Sequence, residues 1–111
     1  MKYGNTKTCF DGIVFDSKAE VERYMELRLL ERAGEIKDLQ RQTPFLLQPS
    51  FKKHGKTYRE IKYIADFTYF DVRKGKNVVE DVKGYRTEVF RLKKKLFEYK
   101  YPDLEIVEVK A

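Results

Sequence analysis

The sequence predicts an α/β (α+β) fold: a single domain over 1–111, with elements in the order α-β-β-β-α-β and a mixed sheet flanked by helices. Three observations predict it. Apolar residues recur at helical spacing in two segments only, near 17–33 and 87–99, and at β-like spacing between and after them. The length of 111 residues fits one domain, and no repeat, low-complexity tract or linker divides it. Strands followed by a helix and a returning strand build a mixed sheet with helices packed on it.

The elements follow in order. Phe10 to Phe15, with Asp11-Gly12 in the middle, forms a short strand or hairpin. Ser17 followed by Glu20 is a capping box, and Gly34 is a natural stop. The spacing therefore predicts a helix from Ser17 to Ala33, with Tyr24, Leu27, Leu30 and Ala33 as its stripe. Ile36–Gln42 and Phe45–Lys52 read as two strands, where Pro44 and Pro49 imply edges or bulges. His54-Gly55-Lys56 is a hairpin turn, Lys62–Asp71 strand, and Arg73 to Lys76 a second turn. Asn77–Lys83 is a strand ended by Gly84. Thr87–Tyr99 is a helix bounded by Gly84 and Pro102, and Leu104–Val109 is the last strand.

Composition narrows the function. Lys and Arg number 24 against 18 Asp and Glu, a net charge of +6, which favours anionic polymers or surfaces as partners. The first fifty residues are neutral, so the whole excess lies in 51–111. One cysteine, Cys9, excludes an internal disulfide and a Cys-based zinc cluster; one histidine, His54, argues against triads and His-rich metal sites. No apolar run reaches membrane-spanning length, and the first eleven residues have no signal-peptide core, so no membrane partner and a cytoplasmic location are expected.

The chemistry concentrates in Val78 to Lys83. On a strand Asp81 and Lys83 share one face while Glu80 and Val82 take the other. Asp66 is an isolated charge among Ile64, Ala65 and Phe67 on the preceding strand. Pairing Val72 with Asn77 across the turn sets Lys83 opposite Asp66, with Asp81 in diagonal reach. A salt-bridged pair on a half-exposed strand explains these charges by structure alone. A metal site explains them by function. Clustered carboxylates repel unless a cation or proton compensates, and Mg²⁺ takes carboxylate and carbonyl oxygens. Asp66, Asp81 and the Val82 carbonyl suit such an ion, with Lys83 beside the phosphate or the attacking water.

These residues resemble the PD-(D/E)XK (restriction-endonuclease-like) nuclease superfamily: Asp66, then Asp81-Val82-Lys83, preceded by the Ser17-x-x-Glu20 helix start. More narrowly, Lys2-Tyr3-Gly4-Asn5, Phe15 to Glu20, Ala65-Asp66-Phe67 and Asp81 to Gly84 are similar to a small phage and prophage family related to branched-DNA resolvases. One departure is Ala65, where that superfamily often has proline. The resemblance implies Glu20, Asp66, Asp81 and Lys83 as catalytic residues, and Glu20, Asp66, Asp81 and Val82 around the metal. Mg²⁺ is the implied cofactor, with Mn²⁺ as a substitute. It further implies a DNA substrate, branched or junction-like, a bacterial host cell, and a homodimer able to cut two strands. Glu20 has a second explanation as the capping-box residue.

On the second helix Val89, Phe90, Leu92, Leu96, Phe97, Tyr99 and Tyr101 form an apolar arc, opposite Arg91, Lys94, Lys95 and Glu98. Lys93 falls inside that arc, either snorkelling or reaching phosphate beside Lys83, and Arg86 is a similar candidate. Arg86, Arg91, Lys93 and Lys94, with the hairpin-tip residues Lys53, Lys56, Lys74 and Lys76, are the expected nucleic-acid contacts. The leading expectation is a Mg²⁺-dependent endonuclease acting on DNA. Its rivals are a non-catalytic DNA-binding or assembly protein, and a nuclease acting on RNA through the same site.

Overall fold

The computed structural model describes residues 7–83 and 86–110. Lys2 to Asn5 and Gly84, which carry part of the resemblance, lie outside the described residues. A hairpin of β1 (Thr8–Phe10) and β2 (Ile13–Phe15) opens the fold. Asp11 and Gly12 between them both have positive φ, 57° and 74°, the mirror-type turn that matches strand twist. Ser17 then caps α1 (Lys18–Arg32), its Oγ accepting the Glu20 N–H at 3.2 Å. The helix buries Glu20, Val21, Tyr24 and Leu27.

The main sheet contains β3 (Ile36–Gln48), β6 (Ile61–Asp71), β7 (Lys76–Lys83) and β8 (Ile106–Lys110), in the order β3-β6-β7-β8. The first three are antiparallel, and β8 returns parallel to β7 after α2 (Glu88–Lys100). With α1 included, this is the expected α-β-β-β-α-β order and a mixed sheet. Between β3 and β6 the chain forms a small hairpin arm, β4 (Phe51–Lys53) and β5 (Lys56–Tyr58), turned by His54 and Gly55, again both at positive φ.

Three expectations are corrected. Ile36–Gln48 is one strand rather than two. Pro44 interrupts nothing because β3 is an edge strand, where a missing N–H can face away from the sheet. The β6–β7 register is displaced: Asp71 pairs with Lys76 and Phe67 with Glu80. The loop is therefore Val72–Gly75, closed by Gly75 N–H and Lys74 N–H bonds to the Asp71 carbonyl and Oδ1. Continued one step, this register sets Asp81, not Lys83, across from Asp66.

The third correction concerns α2. Only Phe90 and Phe97 are buried on it, while Val89, Leu92, Leu96 and Tyr99 are exposed. Its inner face is the i, i+3, i+4, i+7 set Phe90, Lys93, Lys94, Phe97. Lys94, expected on the solvated side, instead meets Glu108 of β8 at 2.8 Å. The short sheet covers one narrow face of the helix, and two aromatic rings fill it.

Each face of the sheet carries its own core. Phe15, Tyr24, Leu27, Phe67, Tyr69 and Val78 pack on the α1 side. Tyr63, Ala65, Val79, Phe90, Phe97 and Ile106 pack on the α2 side. Regular alternation would keep Ala65 and Phe67 on one face. They lie on opposite faces, so β6 turns over at Asp66. Gln42, the β3 residue across from it, has φ 51° and falls between the Thr43–Ala65 and Arg41–Phe67 pairs without a partner of its own in the register.

Candidate functional site

The turn-over of β6 is what makes a site. β6 and β7 stop pairing beyond Phe67–Glu80. In place of a ladder bond, the Val82 N–H donates to Asp66 Oδ2 at 2.7 Å. Asp66 thus reaches β7 through its side chain, at the end of the sheet where the strands part. The expected role for Val82 was its carbonyl; the contact the fold makes is through its amide.

Asp81 and Lys83 share the α2-side face, as the strand period requires. Lys83 Nζ lies 3.1 Å from Asp81 Oδ1 and 4.2 Å from the centroid of the Phe90 ring. The other Asp81 oxygen accepts the Tyr63 hydroxyl at 2.5 Å. Asp81 is 3% exposed, so these two partners replace its hydration. The Tyr63 hydroxyl is in turn held protonated, its pKa raised by burial and then by the Asp81 charge.

Glu20 arrives from α1 and is 7% exposed. A complete capping box would have its carboxylate bonded back to the Ser17 N–H. Among the described residues that carboxylate accepts no hydrogen bond. Burial raises its pKa, with Asp16 next and Asp81 also contributing, while Arg41 and Lys83 lower it. Asp66 is pushed up to about 7, by burial first, then by Asp81 and Glu20, against the Val82 N–H bond and Lys83. Glu20, Asp66, Asp81 and Lys83, taken from three separate elements, therefore feel one another's charge.

Neighbouring groups hold this constellation. Arg23, one turn beyond Glu20, makes two bonds to Glu80, Nε–Oε1 at 2.8 Å and Nη2–Oε2 at 2.6 Å. The Tyr69 hydroxyl also donates to Glu80. Glu80, on the face opposite Asp81 as expected, is 1% exposed and ties α1 to β7 beside Asp81. The sequence offers no signal for this clamp, since Arg23 and Glu80 lie far apart in the chain and neither belongs to a motif.

The basic candidates divide. Arg86 Nε meets Glu108 Oε1 at 3.0 Å, sharing that carboxylate with Lys94. A hollow of about 270 Å³ lined by Lys83, Arg86, Glu108 and Lys110 adjoins the site. Lys93 is half-buried on the inner face of α2 without an ion pair among the described residues, and Arg91 is exposed. Lys53 and Lys56 oppose each other on the arm, at the same end of the sheet as Asp66 and Lys83. Lys74 lies in the turn at the other end and Lys76 opens β7 there, about 17 Å along the strand from Asp81. They do not flank the carboxylates, a consequence of the direction in which β7 runs.

Among the described residues no three His, Cys, Asp or Glu side chains form a ready metal cage. Mg²⁺ does not need one: it keeps several waters and binds through one or two carboxylates. The unbonded Glu20 carboxylate and the raised Asp66 carboxyl are donors of that kind, so the residues present fit such an ion. No helix among the described residues is long and apolar enough to cross a membrane.

Fold and site together define a small α+β domain with an acidic cluster and a lysine where its central strands part. The family whose model matches residues 1–111 is described as "Protein of unknown function (DUF1064)", and the chain belongs to it. No curated protein and no solved structure matches the chain.

Proposed function

We propose that this chain is a Mg²⁺-dependent endonuclease of PD-(D/E)XK type acting on DNA. One observation carries the proposal. Asp66 and Glu20 are carboxylates gathered against Asp81 in a poorly hydrated place, with their pKa values raised and no protein cation bonded to either. A purely structural cluster would pair them, as Glu80 is paired with Arg23. The ion-pair reading accounts for Asp81 and Lys83 but leaves the Glu20 carboxylate without a partner among the described residues and Asp66 with the Val82 N–H alone.

Glu20 and Asp66 would hold the ion, with the Asp81 charge beside them; when bound it polarises a phosphoryl oxygen and lowers the pKa of its water. Tyr63 fixes one Asp81 oxygen and Arg23–Glu80 fixes the helix that carries Glu20. Lys83, braced by Asp81 and the Phe90 face, would place its ammonium on charge developing at the phosphoryl oxygens. The arm residues Lys53 and Lys56 would follow the DNA backbone on the same side.

The reading includes branched DNA as substrate, two copies acting on two strands, and a phage or prophage protein working in a bacterial cytoplasm. Its support is the resemblance. Purified protein incubated with branched, duplex and single-stranded DNA and with RNA, in Mg²⁺, Mn²⁺ or EDTA, tests it. Cleavage of DNA in Mg²⁺ and none in EDTA is expected. Binding without cleavage in every metal would establish the non-catalytic alternative, and cleavage of RNA alone would change the substrate.

A further inference from the structure

Arg41 is a cation that the fold holds in place and leaves without an anion. It stands on β3 beside Gln42, where that strand is irregular, and its backbone pairs with Phe67. Its guanidinium carbon lies 4.4 Å over the Phe15 ring, and Phe15 is fully buried in the α1-side core. Its Nε is sealed from water with no hydrogen-bond partner, the one such side-chain atom among the described residues. Neither Nη group makes a hydrogen bond or ion pair among them either. Arg23, Arg28, Arg73 and Arg86 each meet a carboxylate, while Arg32, Arg59 and Arg91 are exposed.

Keeping a half-buried guanidinium unpartnered is costly, and native proteins accept that cost where the group serves a ligand. The surroundings say which ligand. Stacking on Phe15 fixes the plane, and a fixed guanidinium edge matches two oxygens of a phosphate bidentately. Arg41 also pairs across the sheet with Phe67, the residue next to Asp66. An anion drawn to Arg41 therefore arrives beside the acidic cluster.

We propose that Arg41 grips the nucleic-acid phosphodiester at this site, its two Nη groups on the non-bridging oxygens. This rests on the nuclease reading and names the substrate contact within it. The test uses the full chain with Arg41→Met, which keeps the packing on Phe15, and Arg41→Lys, which keeps the charge but not the fork. Thermal melts confirm folding. Binding of a short DNA duplex is measured in EDTA over a salt series, and cleavage of the same duplex in Mg²⁺.

Arg41→Met is expected to bind about tenfold more weakly, with the salt dependence reduced by about one phosphate contact. Arg41→Lys should keep the salt dependence yet bind more weakly than wild type. If wild type cuts and both variants bind and cut as it does, the Arg41 assignment is overturned and the nuclease reading stands. If wild type binds through Arg41 but does not cut, the assignment stands and the nuclease reading falls. If wild type neither binds nor cuts, both fall.

Discussion

Asp66→Asn should make the protein more stable and less active. The Asp66 carboxyl moves from an ordinary 3.8 up to about 7 in the folded chain, through burial and the charges of Asp81 and Glu20. Between those values the folded state binds a proton that the unfolded state has released. Stability therefore falls as pH rises from about 4 to about 7, and stays lowered above that. A displacement of about three units corresponds to a ceiling of about 4 kcal/mol, and solvent screening at the half-open end of the sheet reduces it to about 2 kcal/mol.

Asparagine removes the charge and keeps an oxygen able to accept the Val82 N–H. Near pH 8 the variant should gain about 2 kcal/mol over wild type, about 8 °C in Tm. Near pH 4 the gain should vanish. Urea denaturation of both proteins across pH 4–8 measures it, and the difference between them cancels every other titrating group. An Asp66→Asn variant that is less stable than wild type at pH 8 would contradict a strained Asp66 charge. It would make Asp66 a structural partner rather than a strained ligand.

Other outcomes follow from the same geometry. Mg²⁺ should stabilise wild type at pH 8 and much less at pH 5, where protons already relieve the cluster, as thermal melts with and without the ion would show. Arg23→Met leaves Glu80 buried and short of its cation, so it should cost about 3 kcal/mol in urea unfolding, and Arg23→Met with Glu80→Leu should recover most of that loss. Tyr63→Phe deprives Asp81 of a donor; a loss of about 1–2 kcal/mol is expected by the same method, together with slower cleavage. Lys53→Gln with Lys56→Gln should reduce the salt dependence of DNA binding by about two phosphate contacts, while Lys74→Gln with Lys76→Gln should change it less.

Local chemistry made much of this fold legible before any coordinates. Asp11-Gly12 and His54-Gly55 specify tight hairpins because both positions need positive φ. Ser17 and Gly34 bound α1 because they satisfy its open ends. The face shared by Asp81 and Lys83 follows from strand period alone. What escaped depended on distance in the chain. The register turned on a side-chain bond, Asp71 Oδ1 to the Lys74 N–H, that no spacing rule reveals. The apolar arc of α2 gave the wrong inner face because nothing in a helix's own sequence says how much sheet lies beneath it. Tyr63, Arg23 and Arg41 went unmarked because their partners, Asp81, Glu80 and Phe15, come from other elements. The reversal of β6 at Asp66 is likewise invisible in Ala65-Asp66-Phe67, where alternation predicts a plain strand.

Glu20, Asp66, Asp81 and Lys83 are proposed as a metal-dependent DNA-cutting site. Its most direct measurement is the rate of junction-DNA cleavage against Mg²⁺ concentration for wild type, Asp81→Asn and Lys83→Ala, with folding and DNA binding checked in parallel. Mg²⁺-dependent cutting by wild type and none by either variant is expected, with all three folded and bound to DNA. Variants that cut at the wild-type rate would contradict this assignment.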